Sequence, residues 1–163
     1  MQIHGIIHQF PKEIKALIAV FIVTLSIGFY MGIRFVNDTS NSNPTGIEER
    51  YLGNEDNETA TKMQFKKTRP EIMTLVHNHI LSLSVIFFLV SVLLATTSIN
   101  KKLKSFLMIE PFVSILLTFG GIYFMWTGIL WFKYVIMISG LFMTVTFLLS
   151  TFFILRGLFL KEK

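Results

Sequence analysis

The chain has 163 residues, of which 52% are apolar, 14% aromatic and 15% charged, whereas an ordinary soluble domain carries about 25% charged residues. Seventeen Phe and so few charges leave too little polar surface for a water-soluble globule of this length, which argues against a soluble enzyme with a loop-borne site. With no Cys there is no disulfide, thiolate metal site, iron–sulfur cluster or Cys nucleophile, and the basic residues behind the net charge of +5 mostly flank apolar runs, where they meet anionic headgroups rather than nucleic acid.

A helix crosses a bilayer with ~20 apolar residues. After a short N-terminal segment (residues 1–15), the first span covers residues 16–33, free of charge and bracketed by Lys15 and Arg34. A basic start before an apolar run also describes a signal peptide. This run exceeds a usual signal core, and Phe35-Val-Asn-Asp-Thr lacks a small-x-small cleavage pattern, so a retained span is expected. Residues 34–71 form a polar outer loop. Its first part, 37–44, reads as a turn-rich tether, and 45–53 as a short helix with Thr45 and Glu48 spaced as a capping box and Gly53 as its stop. Asn37-Asp-Thr and Asn57-Glu-Thr match the glycosylation pattern, which an Asn-rich loop also matches by chance.

The second span, residues 72–99, is announced by Thr68-Arg-Pro-Glu71, a capping box with Pro in the first turn. A connector (100–110) leads to the third span at 111–126. The turn at 127–133 holds Gly128 between Trp126 and Trp131, an interfacial pair. The fourth span is 134–155 and the tail is 156–163. The expected fold class is all-α: four transmembrane helices in an up-down bundle, with a partly helical outer loop between the first and second.

Orientation follows the Lys and Arg beside the spans. Lys12, Lys15, Lys101, Lys102, Lys104, Arg156, Lys161 and Lys163 lie in short segments on one side; Arg34, Arg50, Lys62, Lys66, Lys67, Arg69 and Lys133 lie on the other, six of them in the long loop. The denser side is expected to be cytoplasmic and to hold both termini.

His77 and His79 are the candidate ligand pair, since imidazole binds metals and haem and titrates near neutrality. Two apart on a helix, they point about 200° apart and do not share an ion without distortion. His77, with Ser84 and Ser91 at seven-residue steps, has the better claim to the bundle interior; an interfacial, loop-bonded histidine is the plainer alternative. Haem bridged by two His is disfavoured because the first, third and fourth spans carry none, while a Cu or Zn site could join a His to Glu48, Glu49, Glu55 or Asp56. Glu71 and Tyr51 complete the outer candidates. Glu110 is a possible intramembrane carboxylate, or else a first-turn residue placed by Pro111 at a helix N-terminus. Gly28-Phe-Tyr-Met-Gly32 allows close helix packing, more naturally within the chain than between chains. Phosphate-loop, nucleophile-elbow and zinc-protease motifs are missing.

Glu49-Arg-Tyr-Leu-Gly53, Met63-Gln-Phe-Lys-Lys67 and Glu71-Ile-Met-Thr-Leu-Val-His-Asn-His79 resemble a group of small bacterial four-helix inner-membrane proteins with a Tyr-x-Gly outer loop and a His-x-His helix start. The resemblance covers the central third of the chain. It implies a bacterial plasma-membrane location, marks His77, His79, Glu71, Tyr51 and Gly53, and carries no mechanism. The expected function is a non-enzymatic accessory or assembly subunit of a larger membrane complex, with lipid and a membrane protein or a second copy as partners and no nucleic acid. The alternative is a haem-, Cu- or Zn-binding redox or metal-handling protein using His77 and His79.

Overall fold

A computed structural model describes residues 5–55, 57 and 62–159; Asp56 lies outside them. Among the described residues the chain is all-helical: α1 (Lys12–Ser40), α2 (Pro44–Leu52), α3 (Arg69–Ala95), α4 (Lys101–Trp126) and α5 (Phe132–Phe159), preceded by a 3-10 turn at Ile7–Gln9. All but α2 are long and apolar enough to cross a membrane. α4 packs closely on both α3 and α5, and α1 lies more loosely along α5.

Several helices outrun the expected spans, because capping groups rather than hydropathy set their ends. α1 continues through residues 34–40, where the start of the outer loop and part of its tether (37–44) were expected. Arg34 and Asp38 pair at 3.9 Å across one turn, and the Ser40 hydroxyl donates back to the Val36 carbonyl at 2.7 Å. Left-handed residues at Asn41 and Ser42 then stop it. α2 begins one residue earlier than expected. Its cap is Asn43, whose side chain accepts from the Gly46 N–H at 2.6 Å with Pro44 in the first turn, so the Thr45/Glu48 capping box is not the device used. The box at Thr68 and Glu71 is present. α4 starts at Lys101, capped by Asn100, and continues through Pro111. Glu110 therefore sits in the body of a helix and not in its first turn, and residues 101–110 are helical rather than a loop.

Two apolar clusters fill the bundle. One holds Ile47, Ile72, Phe87, Phe119 and Phe147 towards α2, with Phe29 of α1 stacked on Phe147 at 4.0 Å. The other holds Ile7, Ile18, Ile22, Val90, Leu94, Ile154 and Leu158 towards the termini. Hydroxyls bridge the helices between them: Thr118 and Ser139 lie 2.7 Å apart, and Ser91 donates to the Met108 carbonyl at 3.3 Å. Without water to compete, such bonds contribute about 0.6–2 kcal/mol each.

Both ends are covered by chain. At the terminal end, Gly5 and Ile7 donate their N–H groups to Thr97 and Thr96, and Ile7 is 1% exposed. At the other end, α2 and residues 62–68 lie over the helix tips. The Gly28–Gly32 face of α1 departs from expectation. A side chain at either glycine would meet nothing within 4 Å, so this face is not used for packing inside the chain.

Candidate functional site: the outward face of helix α3

By length and composition α4 is a membrane-crossing helix, and it serves as the reference for depth. From Phe106, just past buried Lys104, to Trp126 the helix spans about 30 Å at 1.5 Å per residue, the thickness of a hydrocarbon core. The His79 ring stacks on Phe119 with 4.7 Å between centroids. Phe119 precedes Trp126 by seven residues, so His79 lies about 10 Å inside the level of Trp126. His77 and Asn78 lie within about 3 Å above it along the helix axis.

At this depth the outer side of α3 carries polar groups around exposed Leu81. Thr74, His77, Asn78 and Ser82 recur at helical three- and four-residue steps, and all are exposed. The Ser82 hydroxyl donates to the Asn78 carbonyl at 2.6 Å, and the His79 Nδ1 donates to the Leu75 carbonyl at 2.8 Å. A carbonyl only accepts, so the neutral His79 ring carries its proton on Nδ1 and leaves Nε2 open as an acceptor. His77 and the Asn78 amide have no partner among the described residues. One helical turn further on, the same face becomes apolar with Val85, Phe88 and Val92.

His77 is thus exposed rather than interior. A seven-residue step falls about 20° short of two full turns, so the row through Ser84 and Ser91 winds around the helix. Ser91 ends buried against α4, Ser84 is half-buried, and His77 faces out. Nor does either His lie beneath α2. Ile47 fills that place at 6% exposure, with Tyr51 and Leu52 beside it.

The loop carboxylates have partners of their own. Glu48 Oε2 lies 2.6 Å from Lys133 Nζ, and this bond holds the ammonium pKa above its ordinary value. Glu49 accepts from the Asn54 amide at 3.4 Å, and Glu55 from the Lys66 N–H at 3.3 Å. Glu71 accepts from the Thr68 N–H and hydroxyl, both at 2.8 Å, and these bonds pull its carboxyl down to about 2. Burial raises the Tyr51 phenol, against an opposing pull from Arg50. Among the described residues no group of three or more His, Asp or Glu is placed to hold a metal ion.

Glu110 is half-buried towards the terminal end. One carboxylate oxygen accepts from the Ser114 hydroxyl, and the other is buried with no partner among the described residues. A shallow hollow on α5, lined by Phe152, Leu155, Arg156 and Phe159, also lies at that end. Sequence reading singled out His77 and His79, with Asn78 between them, but missed Thr74 and Ser82. The signal was present in their spacing, which sets polar groups on one side of a helix that is apolar further along.

No curated protein and no solved structure matches the chain. Residues 41–163, more than half of its length, match a family model described as a transmembrane helical domain (Aq_1264_TM). The match opens at the corner that follows α1. With helices of membrane-crossing length throughout the matched region, this integral membrane protein belongs to that family.

Proposed function

We propose that the protein is a non-enzymatic accessory or assembly subunit that docks another transmembrane protein on the outward face of α3. The observation that carries this reading is the depth of an exposed polar face. His77 and Asn78 point away from the bundle at a level where lipid offers no hydrogen bond, and an unsatisfied polar group in hydrocarbon costs several kcal/mol. A partner helix bearing donors or acceptors removes that cost. The open Gly28–Gly32 face of α1 offers a second side for close approach. The haem, Cu or Zn alternative draws no support from the donor geometry.

Cross-linking tests the reading. The chain has no Cys, so one introduced at exposed Leu81 reports on that face alone. In native membranes it should cross-link to a discrete protein, and His77→Leu with Asn78→Leu should abolish the product while leaving the protein folded in the membrane. Products unchanged by the double substitution would refute the docking face. A Soret band or stoichiometric metal lost with His77→Ala or His79→Ala would replace this reading with the ligand-binding one.

A further inference from the structure

Residues 62–68 cross the α2 end as an extended segment. Hydrogen bonds hold its backbone along its length: the Asn54 amide to the Lys62 carbonyl at 3.1 Å, the Asn54 N–H to the Gln64 carbonyl at 2.9 Å and the Lys67 N–H to the Tyr51 carbonyl at 3.0 Å, the Gln64 N–H to the Asn54 side-chain oxygen at 2.7 Å, and the Lys66 N–H to Glu55 at 3.3 Å. Gly53 lets this happen. It has φ +85, and a side chain there would sit 2.7 Å from the Lys66 nitrogen. Alternation then sorts the side chains. Lys66 turns towards the bundle, its ammonium 5.6 Å above the Trp126 ring. Met63 and Phe65 share the opposite side and are 63% and 67% exposed.

Two large apolar groups held outward by an ordered backbone are unfavourable in water. Three features say what covers them. The Trp126 indole donates to the Lys67 carbonyl at 2.8 Å, which ties the segment to the helix tip where the apolar slab ends. Phe65 is two residues from that carbonyl, within about 7 Å along an extended chain. Exposed Lys62 and Lys66 flank the two apolar side chains, the pairing of apolar anchor and cation that suits the boundary between phosphates and acyl chains. We infer that Met63 and Phe65 dip into the headgroup–acyl boundary of the adjacent leaflet, with Lys62 at the phosphates, so that the loop is a lipid-seated clamp over the bundle end. None of these bonds uses the side chain of residue 63 or 65, so single substitutions there leave the segment in place.

Nitroxide labels at Met63→Cys, Phe65→Cys and, as a control, exposed Thr45→Cys in α2 test this in vesicles of phosphatidylcholine and phosphatidylglycerol. The readout is the ratio of collisions with oxygen, which enriches in lipid, to those with a water-soluble nickel chelate. The clamp requires a ratio at 63 and 65 at least about threefold above that at Thr45, as for a side chain seated below the headgroups. A ratio equal to that at Thr45 places both residues in water and overturns it. Low collision rates with both reagents would mean a protein cover and overturn it equally.

Discussion

Lys133 Nζ and Glu48 Oε2 lie 2.6 Å apart although their residues are 85 apart in the chain. The contact joins α2 to the start of α5 and is the closest ionic tie between the cap and the spanning helices among the described residues. Because folding raises the Lys133 pKa, its contribution is complete below the ordinary value of 10.5 and is lost as pH climbs through the raised value. Cap attachment is therefore expected to hold across the neutral range and weaken only in strong alkali. Glu48→Gln should speed amide exchange across residues 44–52 at neutral pH without altering exchange in α4. Unchanged exchange would show that Ile47 burial alone holds the cap.

Gly46 and Gly53 are expected to be the least replaceable glycines of the cap. A side chain at Gly46 would fall 1.9 Å from the Ser40 carbonyl oxygen, and relieving such an overlap costs about 1–3 kcal/mol. At Gly53 a positive φ adds to the clash with Lys66, at about 1–3 kcal/mol for the backbone conformation. By contrast, Gly28→Ala meets open space, and its expected effect is within about 0.5 kcal/mol. Thermal denaturation of the three alanine variants in one detergent checks the order.

The start of α3 is expected to be acid-sensitive. Folding lowers Glu71 from 4.5 to about 2, so its support for the helix start is complete above pH 4.5 and is lost as pH falls towards 2. Thr68→Ala removes part of the same box and should cost about 1 kcal/mol. Amide exchange at residues 69–73, followed down to acid pH in wild type and Glu71→Gln, checks this. The variant should already show at pH 6 the looseness that wild type gains only in acid.

Orientation is a fourth expectation. The end bearing the termini carries eight of the fifteen Lys and Arg and only Glu13, Glu110 and Glu162 of the ten acids, so its balance (8 − 3 = +5) equals the net charge of the whole chain. The α2 end, with seven of each sign, balances. A cytoplasmic terminal end is expected. A membrane-impermeant thiol reagent applied to intact cells should label Ser42→Cys and spare Lys102→Cys; the reverse pattern inverts the molecule.

Much of this architecture was legible because it rests on local rules. The apolar runs of α1, α3 and α5, the Thr68–Glu71 box and the Gly128 turn are each written within a few neighbouring residues. The first-turn alternative for Glu110 failed because Pro is common in first turns, whereas the cap belongs to Asn100, ten residues earlier. The Glu48–Lys133 tie and the folding of Ile7 onto Gly157 depend on residues far apart in the chain, which no local pattern encodes. His77 was turned inward by a heptad argument that holds for supercoiled pairs; on α3 the row drifts outward over two heptads.

The sparse packing of α1 has a consequence for how the molecule is made. Ile18 and Ile22 share their cluster with Val90, Leu94, Ile154 and Leu158, and the last of these are synthesised more than a hundred residues later. During that interval α1 has to persist in the bilayer before its full set of contacts exists. Its central apolar stretch is as hydrophobic as those of the other long helices and is the least buried of them in the finished bundle, so waiting costs it little. The α4–α5 hairpin, joined by one short turn, assembles as soon as it emerges, and α1 is then recruited to a scaffold already built. On this account α1 precedes the hairpin in the chain yet settles into place after it.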